Sequence, residues 1–253
     1  MMLNNTDLEW EKFGAEDPYY GVITEEIYRK ENLTEEIKEK FFNSGSVYIT
    51  NILEKVNKHL DSNYRPKKVL DFGCGVGRIV IPLTEIADHV VGVDVSDSML
   101  NEAQKNCQTR LIKNVTFMKS DDFISNIKES FDFIHSFIVF QHIPILRGEL
   151  IFQNLLTHLE LGGIGVFHFT YAKSLRFSKL IPWIKKYIPL AKNFINLIKG
   201  REFLAPQMQM NPYNLNSILF ILQKNNIRNF YTEFTNHNGE LGVILYFKMP
   251  ENV

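Results

Sequence analysis

Three glycines on alternate positions, Gly73, Gly75 and Gly77, follow the acidic residue Asp71 at the end of the apolar run Val69-Leu70. Pro66, Lys67 and Lys68 precede the run, which therefore reads as a buried strand ending in a glycine turn. A turn without Cβ atoms lets backbone approach a ligand closely. Ile79, Val80, Ile81, Leu83, Ile86 and Ala87 read as a helix that opens at the turn. Strand, glycine turn and helix form the first βα unit of a nucleotide-binding sheet. A second carboxylate, Asp94, ends the run from His89, 21 residues beyond Gly73. Roughly 20 is the interval expected for a carboxylate that accepts hydrogen bonds from ribose hydroxyls. A third candidate is the pair Gln141-His142, just after the strand pattern Phe131–Ser136. Ligands in such sheets bind beyond the carboxyl ends of the strands, which is where this pair falls.

The turn also says which nucleotide. A dinucleotide fingerprint needs its third glycine at position 78, where this chain has Arg78. Asp71 would repel a pyrophosphate and suits a ligand with a cationic group. S-adenosylmethionine (SAM) has an ammonium, a sulfonium and an adenosine, and no phosphate. At these residues the chain resembles the class I SAM-dependent methyltransferases, whose first motif is an acidic residue followed by Gly-x-Gly-x-Gly. The resemblance covers residues 66–170 well and the flanks loosely. It implies an α/β fold, a Rossmann-like doubly wound sheet of seven strands. That sheet is mostly parallel with an antiparallel C-terminal hairpin, and helices cover both faces. The strand patterns after Ile227 and after Gly242, joined by Asn236–Gly239, match the hairpin.

The resemblance implies roles for particular residues. Asp71, Gly73, Cys74, Gly75, Gly77 and Arg78 would form the cofactor turn, and Asp94 with Val95 would meet the ribose. Met99 would be an apolar wall for adenine, with core packing as the alternative. Asp121 or Asp122 would accept from the adenine amino group beside Phe123, although either can equally cap a helix. Ser136 and Phe137 would lie at the crevice. Ser44 and Gly45 fall in the expected turn before an amphipathic helix over Ile49–Leu60, where family members meet the methionine end of SAM. Capping explains Ser44 equally well. In methyl transfer His142 is read as general base, because a neutral imidazole suits that work near pH 7. Gln141 or Tyr171 would position the acceptor. The product cofactor is S-adenosyl-L-homocysteine (SAH). His135 reads as strand interior and core.

Residues 1–65 are read as a helical arm or lid and 66–253 as the cofactor domain, with a helical insert at about 173–205 before the last helix. Residues 1–40 carry 11 Asp/Glu against 5 Lys/Arg. Their aromatic segment Trp10…Asp17-Pro18-Tyr19-Tyr20 resembles bacterial members acting on sugar-type or surface-polysaccharide substrates. Tyr19 and Tyr20 are its candidates to reach the acceptor. Residues 173–201 hold eight Lys/Arg and no Asp/Glu among many apolar residues. They read as a substrate lid, a dimer interface or a peripheral membrane contact. Arg201 is the candidate to pair with a substrate anion, and His237 is the candidate in the C-terminal loop.

Composition narrows the classes. The 253 residues are 45% hydrophobic and 23% charged, with net charge −1. This fits a globular protein without a general pull toward nucleic acid or anionic lipid. Two cysteines form no disulfide framework, which fits a cytoplasmic setting. There is no zinc spacing, so no metal is expected. Nor is there a signal-peptide pattern or an apolar run long enough to span a membrane. The expectation is a monomeric or homodimeric enzyme. It would methylate an oxygen, or less favourably a nitrogen, of a small polar acceptor, phosphorylated or not, such as a surface-polysaccharide precursor. The rival readings are a non-catalytic SAM-binding scaffold and an NAD-dependent oxidoreductase.

Overall fold

The computed structural model describes residues 6–122, 124–174 and 208–251. Phe123, Arg201 and nearly all of the basic insert lie outside them. Seven strands form one sheet: β1 (Lys68–Phe72), β2 (His89–Asp94), β3 (Val115–Lys119), β4 (Phe131–Ser136), β5 (Leu159–Lys173), β6 (Phe230–His237) and β7 (Glu240–Lys248). Their order is β3-β2-β1-β4-β5-β7-β6. β7 runs antiparallel to both β5 and β6, and the pairs from β3 through β5 are parallel. The expected doubly wound sheet is therefore present.

Continuous apolar runs place the inner strands between two layers, as a covered parallel sheet requires. Successive side chains point to opposite faces, so Val69, Val90 and Phe133 join one core while Leu70, Val91 and Ile134 join the other. The first core also holds residues of α1 (Thr6–Glu16), α2 (Pro18–Val22), α3 (Glu35–His59), α4 (Val80–Thr84) and α5 (Asp97–Thr109). The second holds residues of α6 (Ile145–Thr157) and α7 (Leu215–Lys224).

Several boundaries differ from the sequence reading. Helix α3 starts at Glu35, capped by the Thr34 side chain accepting from Ile37 N. Ser44 and Gly45 are therefore in mid-helix, not in a turn. The apolar stripe simply extends back through Phe41 and Phe42. Helix α4 has only five residues. Pro82 has no N–H to donate, and at the end of the helix Glu85 and Ile86 donate three residues back, to Pro82 and Leu83, in tight turns. Strand β5 begins at Leu159 and shifts register between its pairings with Phe131 and Phe133. His237 is the last residue of β6, and Asn238-Gly239 alone make the hairpin turn, both at positive φ.

Candidate functional site

A cavity of about 680 Å³ opens at the carboxyl ends of β1, β2 and β4. That size falls within the roughly 300–1,000 Å³ usual for small-molecule sites. Its floor includes Gly73–Gly75 and Asp94, and α1 with Val22–Glu25 covers it. Gly73 and Gly75 have φ of 78° and 52°, which a side chain resists. A Cβ on Gly73 would also stand 2.2 Å from Val139.

Asp94 ends β2 with one carboxylate oxygen accepting from Gly75 N at 2.9 Å and the other from Ser96 N at 3.0 Å. A carboxylate has about four acceptor positions, so two remain for the vicinal hydroxyls of a ribose. Burial raises its pKa to about 6, against the lowering effect of the backbone N–H groups. Met99 sits beside it on α5, buried at the cavity wall. Burial pushes the Cys74 thiol well above its ordinary range, which keeps it inert.

Arg78 is half-buried at the mouth of the glycine turn, and desolvation lowers its pKa. Its Nη1 reaches Ser44 Oγ at 3.4 Å, and its Nε has no partner. Among the described residues no carboxylate lies within ion-pair distance of it. A half-buried guanidinium without an anion is costly, and the carboxylate of a bound amino-acid group would complete it. Five buried side-chain polar atoms lack a partner among the described residues: Thr6 Oγ1, Arg78 Nε, His168 Nδ1, His237 Nε2 and Glu240 Oε2. All these residues except His168 border the cavity. Unsatisfied groups are rare in native proteins, so their gathering here marks a place where a ligand supplies partners.

His142 lies in a 3₁₀ turn, Phe140–His142, beyond β4. Its Nδ1 is 2.7 Å from the carbonyl of Gln209, which only accepts, so Nδ1 carries the hydrogen. Nε2 is then a bare lone pair, and Gln141 Nε2 donates to it at 3.2 Å. Thr170 Oγ1 donates to Gln141 Oε1 at 2.5 Å, which fixes the orientation of that amide. Burial lowers the His142 pKa to about 4, so the ring is neutral at pH 7. Trp10 of α1 packs edge-on against it at 4.9 Å.

Of the residues proposed from sequence, Ser44, Asp71, Gly73, Cys74, Gly75, Arg78, Asp94, Val95, Met99, Phe137, Gln141, His142 and His237 border the cavity. The others take different places. Gly45 lets α3 touch the turn, since a Cβ there would lie 2.1 Å from Arg78 O. Gly77 faces Ala103 of α5. The Ser136 hydroxyl donates to Phe72 O within the sheet. Tyr171 packs on Phe234, away from the cavity lining. Tyr19 is buried between α3 and α5, its hydroxyl 2.9 Å from Asn106 Oδ1 and 3.1 Å from Glu102 Oε1. Tyr20 is buried under Arg29. Asp121 accepts from Ser125 N and Oγ. Asp122 is paired with Arg147 Nε at 2.6 Å. Neither carboxylate lines the cavity.

Sequence reasoning missed four contributors. His135 is core, as expected, but also borders the cavity, with Nδ1 2.7 Å from Asp71 Oδ1 and Nε2 3.1 Å from the Tyr48 hydroxyl. The strand register places Asp71 opposite His135, a pairing that sequence periodicity does not give. Arg147 bridges Asp122 to both oxygens of Asp7, tying α1 to α6 over the cavity. Glu240 borders the cavity while paired to Lys173 at 2.5 Å. Trp10 was noted within the arm, although its contact with His142 carried no sequence signal. Among the described residues no group of His, Cys, Asp or Glu is placed to hold a metal.

Residues 69–163 match the methyltransferase domain family. Over 112 residues the chain is 34% identical to the release factor glutamine methyltransferase of Buchnera aphidicola subsp. Schizaphis graminum, covering 42% of this chain and 38% of that protein. Over 97 residues it is 32% identical to the magnesium-protoporphyrin O-methyltransferase of Synechocystis sp., covering 38% and 41%. The chain thus spans about two fifths of the length of these curated relatives. The fold is similar to that of magnesium protoporphyrin IX methyltransferase from Synechocystis PCC 6803 with bound SAM. That similarity has TM-score 0.63 at 18% identity over 98% of this chain and 99% of that one. It is also similar to N-methyltransferase NodS from Bradyrhizobium japonicum WM9 with SAH, at TM-score 0.60 and 15% identity over 98% and 100%. The fold is therefore that of SAM-dependent methyltransferases.

Proposed function

We propose that this protein transfers the methyl group of SAM to an oxygen of a small polar acceptor. One observation carries the reading. One cavity joins a carboxylate with spare acceptor positions (Asp94), a half-buried guanidinium without a carboxylate partner among the described residues (Arg78) and a neutral imidazole whose lone pair accepts only from Gln141 (His142). The methyltransferase domain match over residues 69–163 and the fold support it. Asp94 would hold the ribose hydroxyls, Val95 and Met99 the adenine, and Arg78 with Ser44 the carboxylate of the methionine end. SAM brings a methyl group already activated by its sulfonium. The chain then has to align acceptor and methyl and exclude water. Trp10, Phe137 and the α1 cover do the latter. His142 Nε2 takes the acceptor's proton, with Gln141 moving from that lone pair to the incoming hydroxyl. Arg78 in place of the fingerprint glycine, and Asp71 where a pyrophosphate would lie, speak against an NAD-dependent oxidoreductase.

His237 and Glu240, on the hairpin side of the cavity, are proposed to face the acceptor. A cytoplasmic setting and a surface-polysaccharide precursor as acceptor are part of this proposal. They rest on cysteine usage and on the N-terminal resemblance respectively. The test is turnover of SAM to SAH with a panel of such precursors by the parent and His142→Ala. Loss of a general base lowers kcat by about 10²–10⁴-fold, with SAH binding unchanged. A His142→Ala variant that binds SAH and works at the parent rate would remove the base from the mechanism. A parent that binds SAM and methylates nothing would favour a scaffold.

A further inference from the structure

Three of the five buried polar atoms that lack a partner among the described residues gather on the C-terminal hairpin and the strand beside it: His168 Nδ1, His237 Nε2 and Glu240 Oε2. The sheet puts them together. Lys173, Glu240 and His237 stand directly opposite one another on β5, β7 and β6, so their side chains share one face. Lys173 Nζ holds Glu240 Oε1 at 2.5 Å and leaves Oε2 bare. The His237 ring stands edge-on to His168, with centres 5.4 Å apart, and to Phe137 at 5.8 Å. Thr235 Oγ1 lies 2.8 Å from His168 Nε2. Gly242 permits that contact, since a Cβ there would stand 2.3 Å from the same nitrogen. His237 and Glu240 border the cavity, and proton removal by His142 uses neither. Among the described residues these groups are not placed to hold a metal.

The chemistry of the bare atoms says what could complete them. A carboxylate oxygen only accepts, so Glu240 Oε2 needs a donor. Burial lowers the pKa of His237 and takes that of His168 to about 3, so neither ring brings a positive charge at pH 7. Among the described residues two cations border the cavity. Arg147 is held by Asp7 and Asp122, and Arg78 lies at the glycine turn. A phosphate at the hairpin would therefore meet a carboxylate and uncharged rings. The geometry points to a methyl acceptor that is held at the hairpin through hydroxyl or ammonium hydrogens, given to Glu240 Oε2 beside His237 Nε2, and that carries no anionic group there. An unphosphorylated sugar or amino sugar is the class that fits. The inference rests on the SAM reading above and adds to it the chemistry of the acceptor.

Calorimetric titration of the SAH-loaded chain with methyl glucoside, glucosamine and glucose 6-phosphate tests it. The three probes share one ring and differ in bearing only hydroxyls, an ammonium or a phosphate. The parent is expected to bind one or both of the first two, and glucose 6-phosphate about tenfold more weakly, because like charges meet at Glu240. Binding of methyl glucoside assigns a hydroxyl to the hairpin, and binding of glucosamine alone assigns an ammonium. Loss of one hydrogen bond to a charged group weakens binding about tenfold. Glu240→Gln keeps the side chain's shape and removes its charge. It is expected to lose that factor for the probe the parent prefers and to bind glucose 6-phosphate more tightly than the parent does. His237→Phe keeps an aromatic ring without its nitrogens, and is expected to weaken the preferred probe while SAH affinity stays at the parent value. A parent that prefers the phosphate or binds none of the three overturns the inference. So does a Glu240→Gln change that moves all the probes in one direction, as a merely structural role would. A chain that fails to bind SAH in the first place would overturn the methyltransferase reading itself, which is a separate outcome.

Discussion

Asp94 is the residue whose charge the site depends on most. Its raised pKa of about 6 comes from burial, which the N–H groups of Gly75 and Ser96 only partly offset. Ribose hydroxyls donate to the ionised form. SAH affinity is therefore expected to be flat above about pH 6 and to fall up to tenfold per unit as Asp94 takes up a proton below it. Titration of the parent with SAH between pH 5 and pH 8 measures this, and affinity that rises on acidification would contradict it. The place of Asp94 at the cavity was legible in the sequence because it depends only on a strand end and a fixed interval from the glycines. Asp71 was legible as a carboxylate at a strand end, but not as the partner of His135. That contact is set by strand register, 64 residues apart in the chain. The candidates Asp121 and Asp122 failed for a related reason. They lie outside the cavity lining, where Asp121 is held by Ser125 and Asp122 by Arg147.

At the scale of elements, two helices from the N-terminal segment build the site's cover and wall. Helix α1 is fastened at three points. Glu11 accepts from Ser96 Oγ at 2.8 Å and from Ser98 Oγ at 2.5 Å at the start of α5. Asp7 pairs with Arg147 of α6, and Trp10 lies on His142. Burial raises the Glu11 pKa, but the hydrogen bonds from Ser98 and Ser96 outweigh it and leave the carboxyl below its ordinary value. Helix α3 brings Ser44 and Tyr48 to the cavity only because Gly45 lets it touch the Arg78 backbone. Alanine in a helix interior normally gains about 1 kcal/mol over glycine. Here a Cβ would stand 2.1 Å from a backbone oxygen, and overpacking of that kind costs about 1–3 kcal/mol or more. The clash outweighs the propensity. Gly45→Ala is expected to lower the urea midpoint and weaken SAH binding, and a variant as stable as the parent would show that α3 is free to shift. The sequence pattern showed the apolar stripe of α3 but not its start. Ser44 resembled a cap, while the actual cap, Thr34, lies ten residues earlier.

For the whole molecule, the mostly parallel seven-stranded sheet with its antiparallel hairpin was legible through the resemblance carried by the glycine turn and the two C-terminal strand patterns, while the strand order comes from the structure. What the pattern did not show is how deeply the histidines lie. Burial lowers the His142 pKa to about 4. It also lowers that of His168 to about 3, with His237 and His142 adding to the effect. Below pH 6.5 the unfolded chain protonates both rings and the folded chain does not, so each costs stability as the pH falls. Asp94 works in the opposite sense, because its folded pKa lies above its unfolded one. For these three groups alone, two losses against one gain leave a net loss on the order of 3 kcal/mol between pH 6.5 and 4.5. Urea unfolding at several pH values checks it, and equal midpoints at pH 7 and pH 4.5 would contradict it.

The site's residues come from β1, β2, β4, the hairpin and the N-terminal helices, and they converge on one cavity at the strand ends. The central claim is that this cavity is built for SAM. Calorimetric titration of the intact chain with SAH and, separately, with NAD tests it most directly. The account predicts binding of SAH at one site per chain and no heat from NAD. Binding of NAD without binding of SAH would contradict it.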